Sequence, residues 1–328
     1  MKSFCKNKYN ILVTAVGAIV GYGIIESLRL SGYDLNIIGC DIFDDAVGRY
    51  FADDFIIAEP AASGHYIDFL KKTIDEKHVD LVLFGIEQEI DAVSNNRVVL
   101  GDYLDKLVVD SKDIIDISND KWLTGKWLAE NDLREYSIDS ASEGEYEDIR
   151  KLFGEPFLIK PRVSRAGKGI VAIQTKEDFD YHKKKLGGNF MAQRIVSDEE
   201  NEYTAGVFAD GSGKILNSIC LRRKLSQEGA TAKAWVVDDP ALEIACQRIT
   251  KALKPTGPVN YQFRKDKNSV FLLEVNPRIS SSVSIRSKMG YNEAEMCIDY
   301  FLENRLPEKS VIKNGKALRY IADWIIEE

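Results

Sequence analysis

The stretch Val259-Asn260-Tyr261-Gln262-Phe263-Arg264, followed by Phe271-Leu272-Leu273-Glu274-Val275-Asn276-Pro277-Arg278, decides how this chain reads. Both runs have the apolar spacing of short strands, whose side chains alternate between two faces. Phe271, Leu273 and Val275 are therefore expected in a core, with Glu274 and Asn276 pointing together the opposite way. Asn260, Gln262 and Arg264 share a face in the same manner. A carboxylate and two amide oxygens converging from neighbouring strands make a hard-oxygen donor set of the kind Mg2+ accepts, with phosphate oxygens and water completing the shell. Gln262, Glu274 and Asn276 are thus the candidate metal ligands. Arg278, just past Pro277, is placed to stabilise a transferring phosphoryl group. Taken alone, an E-x-N-P-R run is also an ordinary strand end, so the elements upstream decide between the two readings.

Composition narrows the classes. At 328 residues the chain has room for two or three compact units. Hydrophobic residues make up 45% and charged residues 29%, as in an ordinary globular protein. The net charge of -8 and the lack of a Lys/Arg block argue against a nucleic-acid partner. Cys5, Cys40, Cys220, Cys246 and Cys297 are scattered without C-x-x-C pairing, which fits a reducing cytoplasm better than a disulfide framework or a thiolate zinc site. His65, His78 and His182 are mutually distant in sequence and give no local support for a histidine-based centre. The apolar run Ile11–Ile25 is short and broken by three glycines, so neither export nor a membrane span is expected.

Along the first third, Asn10–Thr14, Asn36–Asp41 and Asp80–Gly85 read as strands separated by amphipathic segments, which implies a parallel, doubly wound sheet over residues 1–115. Gly17, Gly21 and Gly23 open a helix after the first strand, and Asp41 ends the second. A dinucleotide-binding fingerprint needs glycines two and then three residues apart, whereas these are four and then two apart. Close strand-to-helix packing explains them better than nicotinamide binding. Glu87 and Glu89 follow the third strand and are candidates for touching a substrate or capping a helix.

Two cationic elements follow. Lys121 stands at the start of a helix behind Ser118-Asn119-Asp120, where the macrodipole favours negative charge and a bound phosphate would relieve the conflict. Trp122 and Trp127 in that helix are expected in the core. Pro156–Arg162 is a strand with an embedded lysine, Lys160, joined to a second strand, Ile170–Ile173, by Val163-Ser164-Arg165-Ala166-Gly167-Lys168-Gly169. Such a loop can fold its amides over an anion, although it lacks the order of a P-loop. Further on, Glu202–Phe208 and Ile215–Leu225 read as strands, Gln227–Lys233 as a polar, mobile loop, and Pro240–Leu253 as an amphipathic helix.

Taken in order, these elements resemble the ATP-grasp superfamily, in its carbamoyl-phosphate-synthase-like and carboxylate-amine-ligase branch. The resemblance implies an open α/β domain over residues 1–115, a small ATP-grasp subdomain over 116–190 and a large one over 191–328, with ATP clamped between two sheets. It implies phosphate contacts from Lys121, Lys160 and the loop residues Ser164, Arg165, Gly167, Lys168 and Gly169. A hinge at Gln193, Arg194, Ile195 and Val196 would meet the adenine, and Glu202 would reach the ribose. ATP and Mg2+ (or Mn2+) are the implied cofactors, with Arg278, Lys233 and Arg286 as catalytic candidates. The implied reaction joins a carboxylate to an amine or ammonia through an acyl phosphate, in a cytoplasmic enzyme with small-molecule substrates and a homodimer as the assembly. Two departures stand out: the hinge has Gln193-Arg194 where relatives often carry an acidic residue, and Ser280, Ser281 and Ser282 replace glycines. The rival readings are an NAD(P)-dependent oxidoreductase built on the first domain and an ATP-binding protein without catalysis.

Overall fold

The computed structural model describes residues 8–164, 167–227, 229–267 and 269–326. The first strand, β1 (Tyr9–Val13), shows why the N-terminal sheet is doubly covered. Ile11 and Val13 enter one core, while Leu12 between them enters another. With β2 (Leu35–Asp41), β3 (Asp54–Ile57) and β4 (Leu81–Leu83) it forms a parallel sheet in the order β3-β2-β1-β4. A parallel sheet buried on both faces has this continuous apolar pattern. The helix Ile19–Arg29 packs on one face and Tyr66–Glu76 on the other.

A small antiparallel sheet follows, made of β5 (Ser140–Ala141), β6 (Phe157–Pro161), β7 (Val171–Ile173) and β8 (Phe190–Gln193) in the order β5-β8-β6-β7. Its own core is aromatic, with Tyr146, Phe157, Phe179 and Phe190 in contact. β8 completes this sheet, so the sheet runs on to Gln193.

The large sheet has the order β13-β12-β9-β10-β11-β14, from β9 (Glu202–Asp210), β10 (Ile215–Leu225), β11 (Thr231–Val236), β12 (Thr256–Asp266), β13 (Ser269–Asn276) and β14 (Lys316–Leu318). Thr231–Lys233 is thus strand, not loop, because it pairs with β10 and its partner edge receives β14. The helix Pro240–Leu253 covers one face, capped by the Asp239 carboxylate, which accepts from the Ala241 and Leu242 amides. Leu242, Ala245, Cys246, Ile249 and Leu253, at helical spacing, pack on Ala205, Val207, Tyr261 and Phe263. The opposite face joins Ile219 and Leu221 to the same core as Ile11 and Val13, so the N-terminal and large sheets share one apolar interior. Among the described residues no helix is long and apolar enough to cross a membrane.

Candidate active site

The site is built where the small sheet faces the large one. Asp120 caps the helix Lys121–Glu130 through the Trp122 amide, and the same carboxylate pairs with Arg162 beyond β6. The Lys121 amide in turn donates to the Arg162 carbonyl at 3.0 Å. The helix start and the end of β6 are thereby locked together, while the body of the helix packs on the core of the large sheet through Leu128. The Lys121 ammonium donates to the Ser164 carbonyl at 2.9 Å and lies 3.6 Å from the Glu274 carboxylate on the large sheet. Trp122 and Trp127 are half-buried, Trp127 packed against the core that Leu128 enters, and Thr124 is buried beside them.

Lys160, 5% exposed, donates to the Gln193 side-chain oxygen at 2.6 Å. Gln193 passes its own amide N–H on to Ser140. Burial, with Lys121 adding like charge, lowers the Lys160 ammonium to about 7. Arg194 holds its guanidinium over the Phe271 ring at 5.4 Å, beside half-buried Ile195 and buried Val196. Gly167 and Gly169 adopt φ of +67° and +80°, and a Cβ on Gly169 would fall 2.9 Å from Pro161, so this turn requires glycine. Lys168 is exposed, and Arg165 lies outside the described residues.

The metal-ligand candidates converge. Gln262 pairs directly with Glu274 across β12 and β13, and Asn260 with Asn276. The Asn276 amide lies 3.4 Å from the Glu274 carboxylate, and Arg278 donates to the Asn276 oxygen at 3.3 Å. Arg278 also pairs with Glu87 at the first turn of the helix Glu87–Asn95. This contact brings the N-terminal domain to the Asn276 end of the site. The oxygens of Gln262, Glu274 and Asn276 fit a hard divalent cation, and the nearness of the Lys121 ammonium to Glu274 shows that the carboxylate already attracts positive charge.

The register corrects one expectation about β13. Gln262 opposes Glu274 but Phe263 opposes Leu272, so Leu273 is an extra residue in a β-bulge. Alternation restarts there, and Val270, Leu272 and Val275 fill the core instead of Phe271 and Leu273. Phe271 is turned to the cleft side, under Arg194.

Several candidates sit differently from expectation. Glu202 is buried between two arginines, pairing with Arg223 at 2.8 Å and with Arg264 at 3.3 Å. Arg286 is fully buried; it pairs with Glu293 and donates to Thr204 and Asn260, so it supports the sheet beneath the site and is not open to a substrate carboxylate. Gly206 makes room for it, since a Cβ there would lie 2.7 Å from the guanidinium. Lys233 is exposed on β11 opposite Lys224, away from the converged oxygens. Thr231 is buried against Ser282, and the Ser281 carbonyl is held by Arg319.

Arg223 emerges only from the structure. At 5% exposure it donates at 2.8 Å to both Glu202 and the side-chain oxygen of Gln262. In the sequence it is one of three consecutive cations, Arg222-Arg223-Lys224; alternation with Ile219 and Leu221 gives its face but not its partners.

In the first domain, packing and hydrogen bonds within the loop account for the glycines and for Asp41. Asp41 accepts from the Gly17 amide at 2.8 Å and from the Phe43 amide, so its carboxylate is engaged by the loop itself. A Cβ on Gly21 would lie 2.2 Å from the Ala15 carbonyl oxygen, which makes close packing the reason for that glycine. Glu89 is buried, accepts from the Thr14 hydroxyl, and is raised to about 7 by burial, so it ties the helix to β1.

Two sheets facing across a cleft lined by a buried lysine on one side and a carboxylate-amide set on the other define a nucleotide clamp. The comparisons agree with that class. Residues 197–323 match the model of a family described as ATP-grasp in the biosynthetic pathway with Ter operon. The carbamoyl phosphate synthase large chain of Thermoanaerobacter pseudethanolicus is 27% identical over 248 residues, 70% of this chain and 22% of that one. The C-terminal section of the Aquifex aeolicus large chain is 22% identical over 322 residues, covering 92% of this chain and 56% of that one. The chain therefore spans between about a fifth and just over half the length of these relatives. Among solved structures, N5-carboxyaminoimidazole synthetase from Staphylococcus aureus complexed with ADP superposes with a TM-score of 0.73 at 18% identity, over 94% of this chain and 82% of that one. Biotin carboxylase from Campylobacter jejuni also gives 0.73, at 15% identity over 94% and 74%. Residues 197–323 thus match an ATP-grasp family, and most of the chain is similar in sequence to carbamoyl phosphate synthase large chains and in fold to these solved structures.

Proposed function

We propose that this chain is an ATP-dependent ligase that joins a carboxylate to an amine or ammonia through an acyl phosphate, releasing ADP and phosphate. The observation that supports it most is the approach to the Glu274-Gln262-Asn276 set of Lys160, from the small sheet, and of Lys121, at the start of a helix packed on the large sheet, with Lys121 3.6 Å from Glu274. Phosphoryl transfer asks a protein for positioned cations more than for a nucleophile.

Lys121 and Lys160 counter the phosphate charge, and the turn around Gly167–Gly169 supplies backbone amides over the phosphates. The main chain of Gln193–Val196 receives the adenine edge, with the Phe271 ring beside it. Glu202 reaches the ribose only if its pairs with Arg223 and Arg264 rearrange. Glu274, Gln262 and Asn276 hold Mg2+, which when bound neutralises the phosphate oxygens. Arg278, oriented by Glu87 and Asn276, stabilises the phosphoryl group as the substrate carboxylate attacks. The amine then displaces phosphate from the acyl group. An acyl phosphate hydrolyses readily, so the glycine turn closes over it to exclude water.

An ADP-release screen of carboxylates against amines and ammonia, with mass analysis of the product, tests this. A productive pair yields ADP and an amide, and Glu274→Ala lowers that rate by at least about 100-fold. Unchanged turnover in Glu274→Ala would remove the metal assignment; saturable MgATP binding without ADP from any pair would remove the ligase assignment.

A further inference from the structure

The face of the large sheet turned away from the cleft carries a second constellation. On β10, Cys220 faces the helix Pro240–Leu253, and Cys246 on that helix faces back. Both line one cavity of about 150 Å3, together with Ser218, Glu243, Gln247 and Lys309. Cys220 is partly exposed, whereas Cys40, Cys246 and Cys297 are buried. The pair thus combines an accessible thiol with a sequestered one, inside a space large enough to admit part of a small thiol compound.

The surroundings differentiate the two sulfurs. A hydrogen bond from Cys246 holds Cys220 below the ordinary thiol range against the effect of burial; Arg286 lowers it further, while Asp239 and Glu243 oppose. Cys246 is raised, first by the same hydrogen bond and then by burial. Cys40 and Cys297 are pushed well above the usual range by burial. Lys309, on the cavity wall, donates to the Leu216 carbonyl. A thiolate attacks disulfides and a thiol does not, so reactivity concentrates on Cys220.

We propose that Cys220 and Cys246 form a thiol-modification site for small disulfides such as glutathione disulfide, with Cys220 attacking and Cys246 resolving. The Cys220 thiolate bonds to one sulfur of the external disulfide, and the other leaves as a thiolate. The departing thiolate takes up the Cys246 proton, and the Cys246 thiolate then attacks the Cys220 sulfur and displaces the second external thiolate. One external disulfide is reduced to two thiols, and the pair is oxidised to one cystine joining β10 to its covering helix. This site is independent of the nucleotide reading.

The test treats the whole folded protein with glutathione disulfide, quenches by alkylation at intervals and maps every cysteine by non-reducing peptide mass spectrometry. The expected product is a Cys220–Cys246 linked peptide, formed while Cys40 and Cys297 stay unmodified. Cys246→Ser should stop at a stable glutathione adduct on Cys220, and Cys220→Ser should yield neither product. The wild-type time course decides the matter even if a variant misfolds. Reaction at Cys220 no faster than at Cys40 and Cys297 overturns the proposal. So does an adduct on Cys220 that never transfers to Cys246, or a link that forms only in urea.

Discussion

In the proposed clamp Lys160 is the critical side chain, a buried amine whose charged form desolvation disfavours. In the free protein at pH 8 its amine is mostly unprotonated, since the solution lies above its value of about 7. A triphosphate beside it favours the charged form and raises that value. Nucleotide binding near pH 8 should therefore take up as much as about one proton, the difference in protons bound by the two states. Calorimetric titration with MgATP in buffers of different ionisation enthalpy measures this directly, and Lys160→Met should abolish the uptake. Arg223 makes a second prediction at this scale. Its removal leaves Glu202 with Arg264 alone in a buried setting, so Arg223→Met should cost about 3–5 kcal/mol in urea unfolding. Its contact with Gln262 makes the Mg2+ requirement the second readout, with the concentration for half-maximal ADP release rising about 10-fold or more. Glu274 and Asn276 were legible from alternation in E-x-N-P-R; Arg223 was not, because its partners come from strands distant in sequence.

Single elements show where local rules held and where they failed. Ile215–Leu225 and Pro240–Leu253 have the bounds read from the sequence, since each carries its own periodicity and punctuation. β13 departs from simple alternation because a bulge is a property of two paired strands, and nothing in Phe271–Asn276 alone reveals the extra residue. Gln227–Lys233 has a loop-like composition, yet Thr231–Lys233 is recruited into the sheet by β10. The glycines after β1 illustrate the reverse case, where a weak motif was rightly assigned to packing. Gly21→Ala should destabilise the fold by about 1–3 kcal/mol, as overpacking does, because the new Cβ meets the Ala15 carbonyl. Urea titration checks it; an unchanged midpoint would mean that the helix Ile19–Arg29 has room to shift.

At the scale of the whole molecule, the apolar interior shared by the N-terminal and large sheets, and the Arg278–Glu87 contact across them, make the first domain part of the site. The C-terminal segment adds a further tie: β14 extends the large sheet, Arg319 holds the Thr231 and Ser281 carbonyls, and Trp324 stacks on Tyr50. A ligand held by both lobes stabilises the folded state by mass action. MgATP at about 100 times its Kd should add about 2.7 kcal/mol, read as a rise in thermal midpoint that Mg2+ alone does not produce.

By itself the sequence determined the strand-helix alternation at the start of the chain, the parallel character of the first sheet, the face shared by Glu274 and Asn276, and the glycine turn after Lys160. These follow from periodicity, turn residues and nearest-neighbour geometry, all of which operate within a few residues. Only the tertiary structure decided which charges face a ligand and which face each other. Arg286 paired with Glu293, Arg223 joined Glu202 to Gln262, and Phe271 turned to the cleft. A buried charge has to find its counter-charge wherever the fold brings one within reach, and that distance is set by packing between segments far apart in the chain.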